Sequence, residues 1–199
     1  MLPPPLIPSQ VENGLRLVTV RLVGLPDDDQ STVRIGWQQQ GQPAQSVSDN
    51  VVYVRAVEDD DAADKQRDQA YQDDPDDAAI VRELTSYMRV WRGIWTFYGP
   101  DSFDWARRVR SGWYTQVPHD VFATLNFELY AVMDIQAPRR APELFQNEWW
   151  ERVDLEIQFN ELVTEEVDVG AVASTEVRAY TDESPDIDHP EMDIVVEAP

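Results

Sequence analysis

The clearest hydrophobic pattern in the chain is a strict alternation of apolar and polar residues over residues 153–160, Val-Asp-Leu-Glu-Ile-Gln-Phe-Asn. Such alternation predicts a strand with one face on the core and the other in water. We expect residues 171–180 to pair with this strand as a final antiparallel strand. Residues 51–57 are apolar at almost every position, which predicts a strand in the interior of a sheet.

The segment that follows residue 8 has the spacing of an amphipathic helix. Its apolar residues recur at intervals of four, three and four: Val11, Leu15, Val18 and Leu22. Ser9 and Glu12 have the capping-box spacing that begins a helix, and Gly24 with Pro26 supplies an end. Residues 15–23 are also rich in β-branched side chains, so a strand is the rival interpretation; the capping residues favour the helix.

An aromatic segment leads into a second helix. Residues 80–98 fit a helical stripe as well as a strand, and aromatic enrichment with the Gly99-Pro100 break favours a strand at least from Tyr87. For the helix that follows, capping and charge preferences predict Asp101 or Ser102 at the start and Gly112 at the end. Charge also suits the helix dipole, with one acid in the first turn and three arginines in the last: Asp104, Arg107, Arg108 and Arg110.

The remaining segments are less regular. Residues 27–45 are predicted as a polar loop with a short strand at 33–37, residues 121–125 as a turn of helix, and residues 127–135 as an alternating strand. Residues 58–77 hold ten carboxylates and two cations, too few apolar groups to offset the entropy of ordering, and are expected to form a mobile excursion. From residue 182 the chain is acidic and contains proline, which predicts a loose tail or docking arm.

The order of these elements predicts an α+β fold: a mostly antiparallel sheet with helices packed on one face, plus the mobile acidic loop and a C-terminal arm. We assign residues 1–180 to one domain, with 58–77 as an excursion loop, and residues 181–199 to an acidic tail. No apolar run is long enough to span a membrane, and residues 1–5 lack a signal-peptide pattern. We therefore expect a soluble protein that is cytoplasmic when made.

The formal net charge is −22, from 38 carboxylates and 16 cations, and only Lys65 among the cations is a lysine. This charge disfavours binding to DNA phosphates. Acidic, lysine-poor composition is typical of proteins from salt-accumulating halophiles. A GC-rich genome that favours arginine, combined with a few acidic loops, explains the composition equally well.

No catalytic, cofactor-binding or metal-binding residue emerges from the sequence. Cysteine is absent, and His119 and His189 have no partner at ligand spacing, so both are expected to be exposed in loops or tail. Residues 59–61 and 73–77 are acidic but lack the spacing of a built calcium loop. The chain contains none of the common phosphate-loop or serine-hydrolase motifs.

Trp149 and Trp150 stand out because adjacent residues of a strand point to opposite faces, so both cannot enter the same core. One interpretation makes the pair an interface anchor, and an equally weighted one buries one tryptophan while the other shields backbone. Together with Arg139 and Arg140, they are the candidate subunit or partner interface.

Several short motifs resemble the neck or tail terminator proteins of tailed viruses. Residues 97–99, Phe-Tyr-Gly, end a strand before a helix as in that family. The resemblance extends to the N-terminal helix leading into Val33-Arg-Ile-Gly-Trp37, and to Pro142-Glu-Leu144 before Trp149-Trp-Glu-Arg152 and its long strand. These motifs span most of residues 9–180.

The resemblance implies a structural virion protein, not an enzyme. Such a protein forms a ring, usually of six subunits, that ends tail-tube growth and docks the tail to head-completion proteins. DNA would pass through its channel without specific binding, and the protein would be located in the virion, at the neck or tail end. Two alternatives from other classes are a carboxylate-based, metal-assisted enzyme and a monomeric acidic interaction module.

Overall fold

The computed structural model describes residues 7–36, 45–73, 80–127, 129–145, 147–170, 174–177 and 194–197. Contacts divide the chain into two compact units, Met1–Asp68 with Ser86–Glu165, and Gln69–Thr85 with Glu166–Pro199. The fold is α+β with a mixed, mostly antiparallel sheet, as the sequence predicts.

The described residues contain three α-helices, a short 3-10 helix at Ala62–Lys65 and eleven strands. The helices are α1 Pro8–Val23, α2 Ser102–Gly112 and α3 Gln116–Ala123. The strands are β1 Val33–Ile35, β2 Val51–Glu58, β3 Asp68–Asp73, β4 Ile80–Tyr98, β5 Leu129–Ile135, β6 Arg139–Arg140, β7 Glu143–Phe145, β8 Glu148–Trp150, β9 Arg152–Gly170, β10 Ser174–Val177 and β11 Ile194–Glu197.

The main sheet has the strand order β1-β2-β4-β9-β5, and β6 adds to β9. β2 and β4 are antiparallel, as are β5 and β9, whereas β1 runs parallel to β2. Side-chain contacts from β4 to β9 join Ser86 to Thr164 and Arg89 to Glu161, which is the order of an antiparallel pair. The interior position predicted for residues 51–57 is confirmed.

The three helices of the first unit pack against one face of this sheet. The core there combines helix residues such as Leu15 and Val109 with every second residue of the strands, including Trp91, Trp95 and Phe97. We call this the helix face. The alternate strand residues, Tyr53 and Tyr98 among them, lie on the opposite face, which we call the far face.

The capping box predicted for α1 is wrong, although the helix itself is confirmed. The helix begins at Pro8 after Ile7, whose backbone N–H donates to Gln10 Oε1 (3.0 Å). Glu12 instead turns inward and is nearly buried: it accepts the N–H of Ala56 (3.4 Å) and lies 3.3 Å from Arg55 Nε. Its carboxylate ties α1 to β2. Gly24 ends the helix at a positive φ of 86°, as predicted.

Gly112 has a different role from the predicted helix stop. It is the last residue of α2, and Trp113 continues in right-handed helical geometry. A β-carbon at residue 112 would collide with the side chain of Leu22, so the missing side chain allows α1 and α2 to pack closely. Asp101 occupies the N-cap position, but its side chain accepts a hydrogen bond from Asn50 (2.8 Å) instead of capping the helix.

Four strand assignments differ from the sequence predictions. β4 and β9 are both longer than the aromatic and alternating patterns suggest. The segment predicted as an irregular excursion contains a 3-10 helix and β3, whose six residues are all exposed, so no apolar pattern marks it. β10 does not pair with β9; it pairs with β11, which lies in the predicted tail. Trp37 and residues 74–79 lie outside the described residues.

Candidate functional site

The sequence-predicted tryptophan pair lies on a β-hairpin formed by β7 and β8. In its register Leu144 faces Trp149, and Glu143 faces Trp150. Successive residue pairs point to opposite sides of a hairpin, so the two pairs occupy different faces. Leu144 is 58% exposed and Trp149 67%, whereas Trp150 is 8% exposed. The hairpin therefore has one apolar side in solvent and one side packed on the protein.

The packed side of the hairpin lies against the far face of the sheet. Trp150 meets Tyr98 edge-to-face, with ring centroids 6.2 Å apart at an angle of 84°. Tyr98 makes a similar contact with Tyr53 at 6.0 Å, and Val51 completes this small aromatic cluster. Edge-to-face pairs of this kind stabilise by about 0.5–1.5 kcal/mol beyond their buried area. Trp150 is thus an anchor within its own chain.

Polar contacts hold the same side of the hairpin. The Tyr98 hydroxyl donates to Glu143 Oε1 (3.0 Å), and Arg152 donates to Glu143 Oε2 (3.1 Å) and to Asp154 (2.9 Å). Burial, together with the adjacent negative charge of Glu143, raises the pKa of Tyr98 well above its ordinary value. The phenol therefore stays protonated and keeps donating to Glu143. Sequence reasoning did not identify this network, because its members are scattered along the chain.

The Phe-Tyr-Gly motif connects the core to this hairpin. Phe97 is fully buried on the helix face, while Tyr98, on the far face, contacts Trp150. Gly99 has a φ of 99°, and its N–H donates to the carbonyl oxygen of Glu151 (3.2 Å). A β-carbon at residue 99 would overlap the backbone of Asp49 and Asn50. The motif thus positions the hairpin as well as ending β4.

Arg139 and Arg140 form the short strand β6, which pairs with β9 opposite Asp154 and Val153. Both arginines are exposed. The Arg140 guanidinium carbon lies 4.7 Å from the centroid of the Phe103 ring on α2, and Arg140 Nη1 is 3.6 Å from the Glu151 carboxylate. Glu151 directly follows Trp150, so Arg140 lies beside the base of the hairpin.

Helix α2 adds a positively charged surface next to β6. Arg107, Arg108 and Arg110 are exposed and, with Asp104 and Ser111, line a shallow depression. Arg110 Nε donates to the carbonyl oxygen of Gln136 (3.1 Å), just before β6. Sequence reasoning assigned these arginines only to the helix dipole. Arg140 lies near these arginines, because it contacts Phe103 of α2 and because Arg110 is bonded to Gln136, which precedes β6.

The acidic clusters and histidines form no metal site within the described residues. Asp59 pairs with Arg92 (2.5 Å), and Asp60 pairs with Lys65 (3.1 Å). His119 lies on α3 and is exposed, whereas a loop position was predicted. His189 and most of residues 73–77 lie outside the described residues. No described helix is long and apolar enough to cross a membrane.

The described residues form an α+β fold that carries an exposed apolar side on the β7–β8 hairpin and a group of exposed arginines on α2. The sequence profile of the family described as phage neck terminator protein matches residues 9–184, and the chain belongs to this family. It is therefore a structural protein of the virion neck or tail, where it interacts with other virion proteins. No curated protein matches the chain.

Proposed function

We propose that copies of this chain assemble into a closed ring of six subunits that ends tail-tube growth and joins the tail to the head-completion proteins. The action is assembly, without any change in covalent bonds. Membership of the neck terminator family supports this role. The observation that carries the proposal is the exposed Leu144–Trp149 pair on a hairpin whose other side is anchored.

A fixed apolar pair of this kind suits a binding surface. Solvent-exposed leucine and tryptophan lose their hydration when a partner covers them, which stabilises the complex in proportion to the apolar area buried. The anchors at Trp150 and Glu143 hold the hairpin in place before binding, so little ordering entropy is lost on association. Buried tryptophans at interfaces commonly contribute about 2 kcal/mol or more to binding.

A closed ring explains how addition stops. Head-to-tail contacts give a ring two different faces. If one face matches the addition surface of the tail tube and the other does not, binding prevents further growth. The net charge of −22 suits the channel, because an acidic lining repels DNA phosphates and lets DNA pass without binding. Assembly would take place in the host cytoplasm.

The assembly state can be tested by sedimentation velocity and native mass spectrometry of the purified chain. We expect wild type to form a discrete closed oligomer. Trp149→Ala should weaken either this oligomer or its attachment to tails by roughly 30-fold, equivalent to about 2 kcal/mol. The matched control is Tyr114→Ala, because Tyr114 is equally exposed at 71% but lies between α2 and α3.

Electron microscopy of virus assembly lacking this protein tests the role itself. Overlong or headless tails are expected. Normal tails joined to heads would refute the proposed role, and a chain that stays monomeric at all concentrations would refute the ring. If Trp149→Ala behaves like Tyr114→Ala in both oligomer and attachment assays, the hairpin is not the binding surface.

A further inference from the structure

We propose that the arginine surface on α2 binds the acidic segment of a neighbouring copy, so that an ionic contact helps to close the ring. The arginine surface comprises Arg107, Arg108 and Arg110 of α2 together with Arg140 of β6. The acidic segment comprises residues 58–68. This inference rests on the proposed ring and identifies which parts of two subunits meet.

The arginine surface is an exception in a strongly acidic chain. It gathers four of the sixteen cations, although carboxylates outnumber cations by 38 to 16 overall. Among the described residues that line the depression on α2, Asp104 is the only carboxylate. Within the part of the chain that the structure describes, no hydrogen bond or ion pair engages the guanidinium groups of Arg107 and Arg108. These two charges are available to a partner.

The shape of α2 explains why these arginines face outward. Ala106 and Val109 are buried against the core, and Gly112 contacts Leu22 of α1. With 3.6 residues per turn, Arg107 lies opposite this buried stripe and Arg108 lies beside it, and both side chains are exposed. Arginine is well suited to such a contact, because its planar group binds carboxylates through two parallel hydrogen bonds.

The acidic segment supplies the complementary charge. It contains six carboxylates and two cations. Asp59 and Asp60 already pair with Arg92 and Lys65. Glu58 and Asp68 are exposed, and no hydrogen bond or ion pair described for the chain engages their carboxylates. The segment thus retains a net negative charge.

Helix α2 and Asp59 of the acidic segment lie on different faces of the sheet. Helix α2 packs on the helix face of the sheet. Asp59 contacts Arg92 and Gln158. The sequence neighbours of those two residues, Trp91 and Ile157, point to the helix face, so Arg92 and Gln158 lie on the far face. A head-to-tail ring requires such separated, complementary surfaces on each copy.

Charge also explains why a second copy is the favoured partner. Subunits that each carry −22 repel one another, so association needs a local contact of opposite sign that outweighs the general repulsion. The chain contains both halves of that contact. DNA phosphate is another anionic ligand for the same arginines. Retention on double-stranded DNA, measured below, distinguishes it from a second copy of the chain.

The experiment measures the dissociation constant of the oligomer by sedimentation and native mass spectrometry at about 0.05 M NaCl. Arg107→Gln with Arg108→Gln should raise this constant at least ~10-fold. The control, Ser48→Glu with Ala123→Glu, makes the same change in net charge at exposed positions outside both surfaces and should have a smaller effect. Thermal melting confirms that each variant is folded.

Charge reversal tests the identity of the partner surface. Arg107→Glu with Arg108→Glu should abolish the oligomer, and so should Glu58→Arg with Asp68→Arg. Combining all four substitutions restores opposite signs at the contact and should restore the oligomer. The difference between wild type and the single-surface variants should shrink near 0.5 M NaCl, because salt shortens the screening length to roughly 4 Å.

Each result has one meaning. If wild type forms no oligomer, the proposed ring fails, and this inference fails with it. If wild type assembles and the arginine variants assemble equally well, the ring stands and this inference is wrong. Failure of the four-substitution variant to assemble while folded excludes the acidic segment as partner. If the arginine variants assemble normally but lose retention on double-stranded DNA at low salt, the surface binds phosphate instead.

Discussion

Gly99 donates its backbone N–H to the carbonyl oxygen of Glu151 (3.2 Å), which joins the end of β4 to the base of the β7–β8 hairpin. The two residues are far apart in sequence. Gly99 follows the buried Phe97 by two residues, and Glu151 follows the exposed Trp149 by two, so this bond joins the segments that carry them. The hairpin that carries the proposed binding surface is thus fixed directly to the central strand of the sheet.

Gly99→Ala should therefore lower the free energy of unfolding by about 3 kcal/mol or more, because a side chain there suffers both a positive φ and overlap with backbone atoms. Gly24→Ala is the matched control. Gly24 also has a positive φ, but its β-carbon would meet open space, so the expected cost is about 1 kcal/mol. Urea unfolding measures both; equal losses would mean that the close approach at Gly99 does not matter.

The two adjacent tryptophans should differ sharply in their effect on stability. Trp150→Ala removes a buried ring from the Tyr98 cluster and should cost about 3–5 kcal/mol. Trp149→Ala removes an exposed ring and should change the stability of the isolated subunit by no more than about 0.5 kcal/mol. Denaturant unfolding at a concentration where the protein is monomeric checks this. Similar costs for both would contradict the described faces of the hairpin.

Stability should depend on pH through Tyr98, whose pKa is raised by burial and by the charge of Glu143. A group whose folded pKa exceeds its unfolded value contributes stability below the unfolded pKa, which is about 10 for tyrosine. The contribution is lost as pH rises above that value. We expect the free energy of unfolding to fall above about pH 10 in wild type and less steeply in Tyr98→Phe. Tyr114→Phe serves as the control, and identical slopes in all three proteins would contradict the prediction.

Salt should stabilise the subunit, since the net charge is −22 and the like charges repel. The melting temperature should rise between about 0.1 M and 1 M NaCl as the screening length shortens. Glu58→Gln with Asp68→Asn removes two exposed negative charges and should give a shallower dependence. A flat or falling curve for wild type would mean that the carboxylates are spread or paired well enough not to strain the fold.

The elements with a regular apolar period were predictable from sequence. The spacing of residues 11–22 gave α1, and the alternation of residues 153–160 identified the central part of β9. β3 was missed because all six of its residues are exposed, so neither face has an apolar pattern. The pairing of β10 with β11 was missed because sequence alone does not specify the partner of a short strand.

The candidate interface was predictable only in part. The adjacency of Trp149 and Trp150 required that they point to opposite sides, but only the Tyr98 contact identifies Trp150 as the packed one. Glu12 shows why a capping pattern alone is not sufficient. Its spacing from Ser9 fits a capping box, but its carboxylate instead pairs with Arg55 and accepts the Ala56 N–H in the interior. Contacts between distant segments decided both cases.

The position of β4 between β2 and β9 has a consequence for how the chain folds as it is synthesised. β2 is made before β4, but β9 begins only at residue 152, and its contact from Glu161 to Arg89 closes a loop of 72 residues. Closing so long a loop slows folding. One edge of the aromatic central strand therefore remains unpaired until β9 leaves the ribosome. Nascent chains are most prone to aggregate during that interval, and chaperone binding to residues 91–97 would be most useful then.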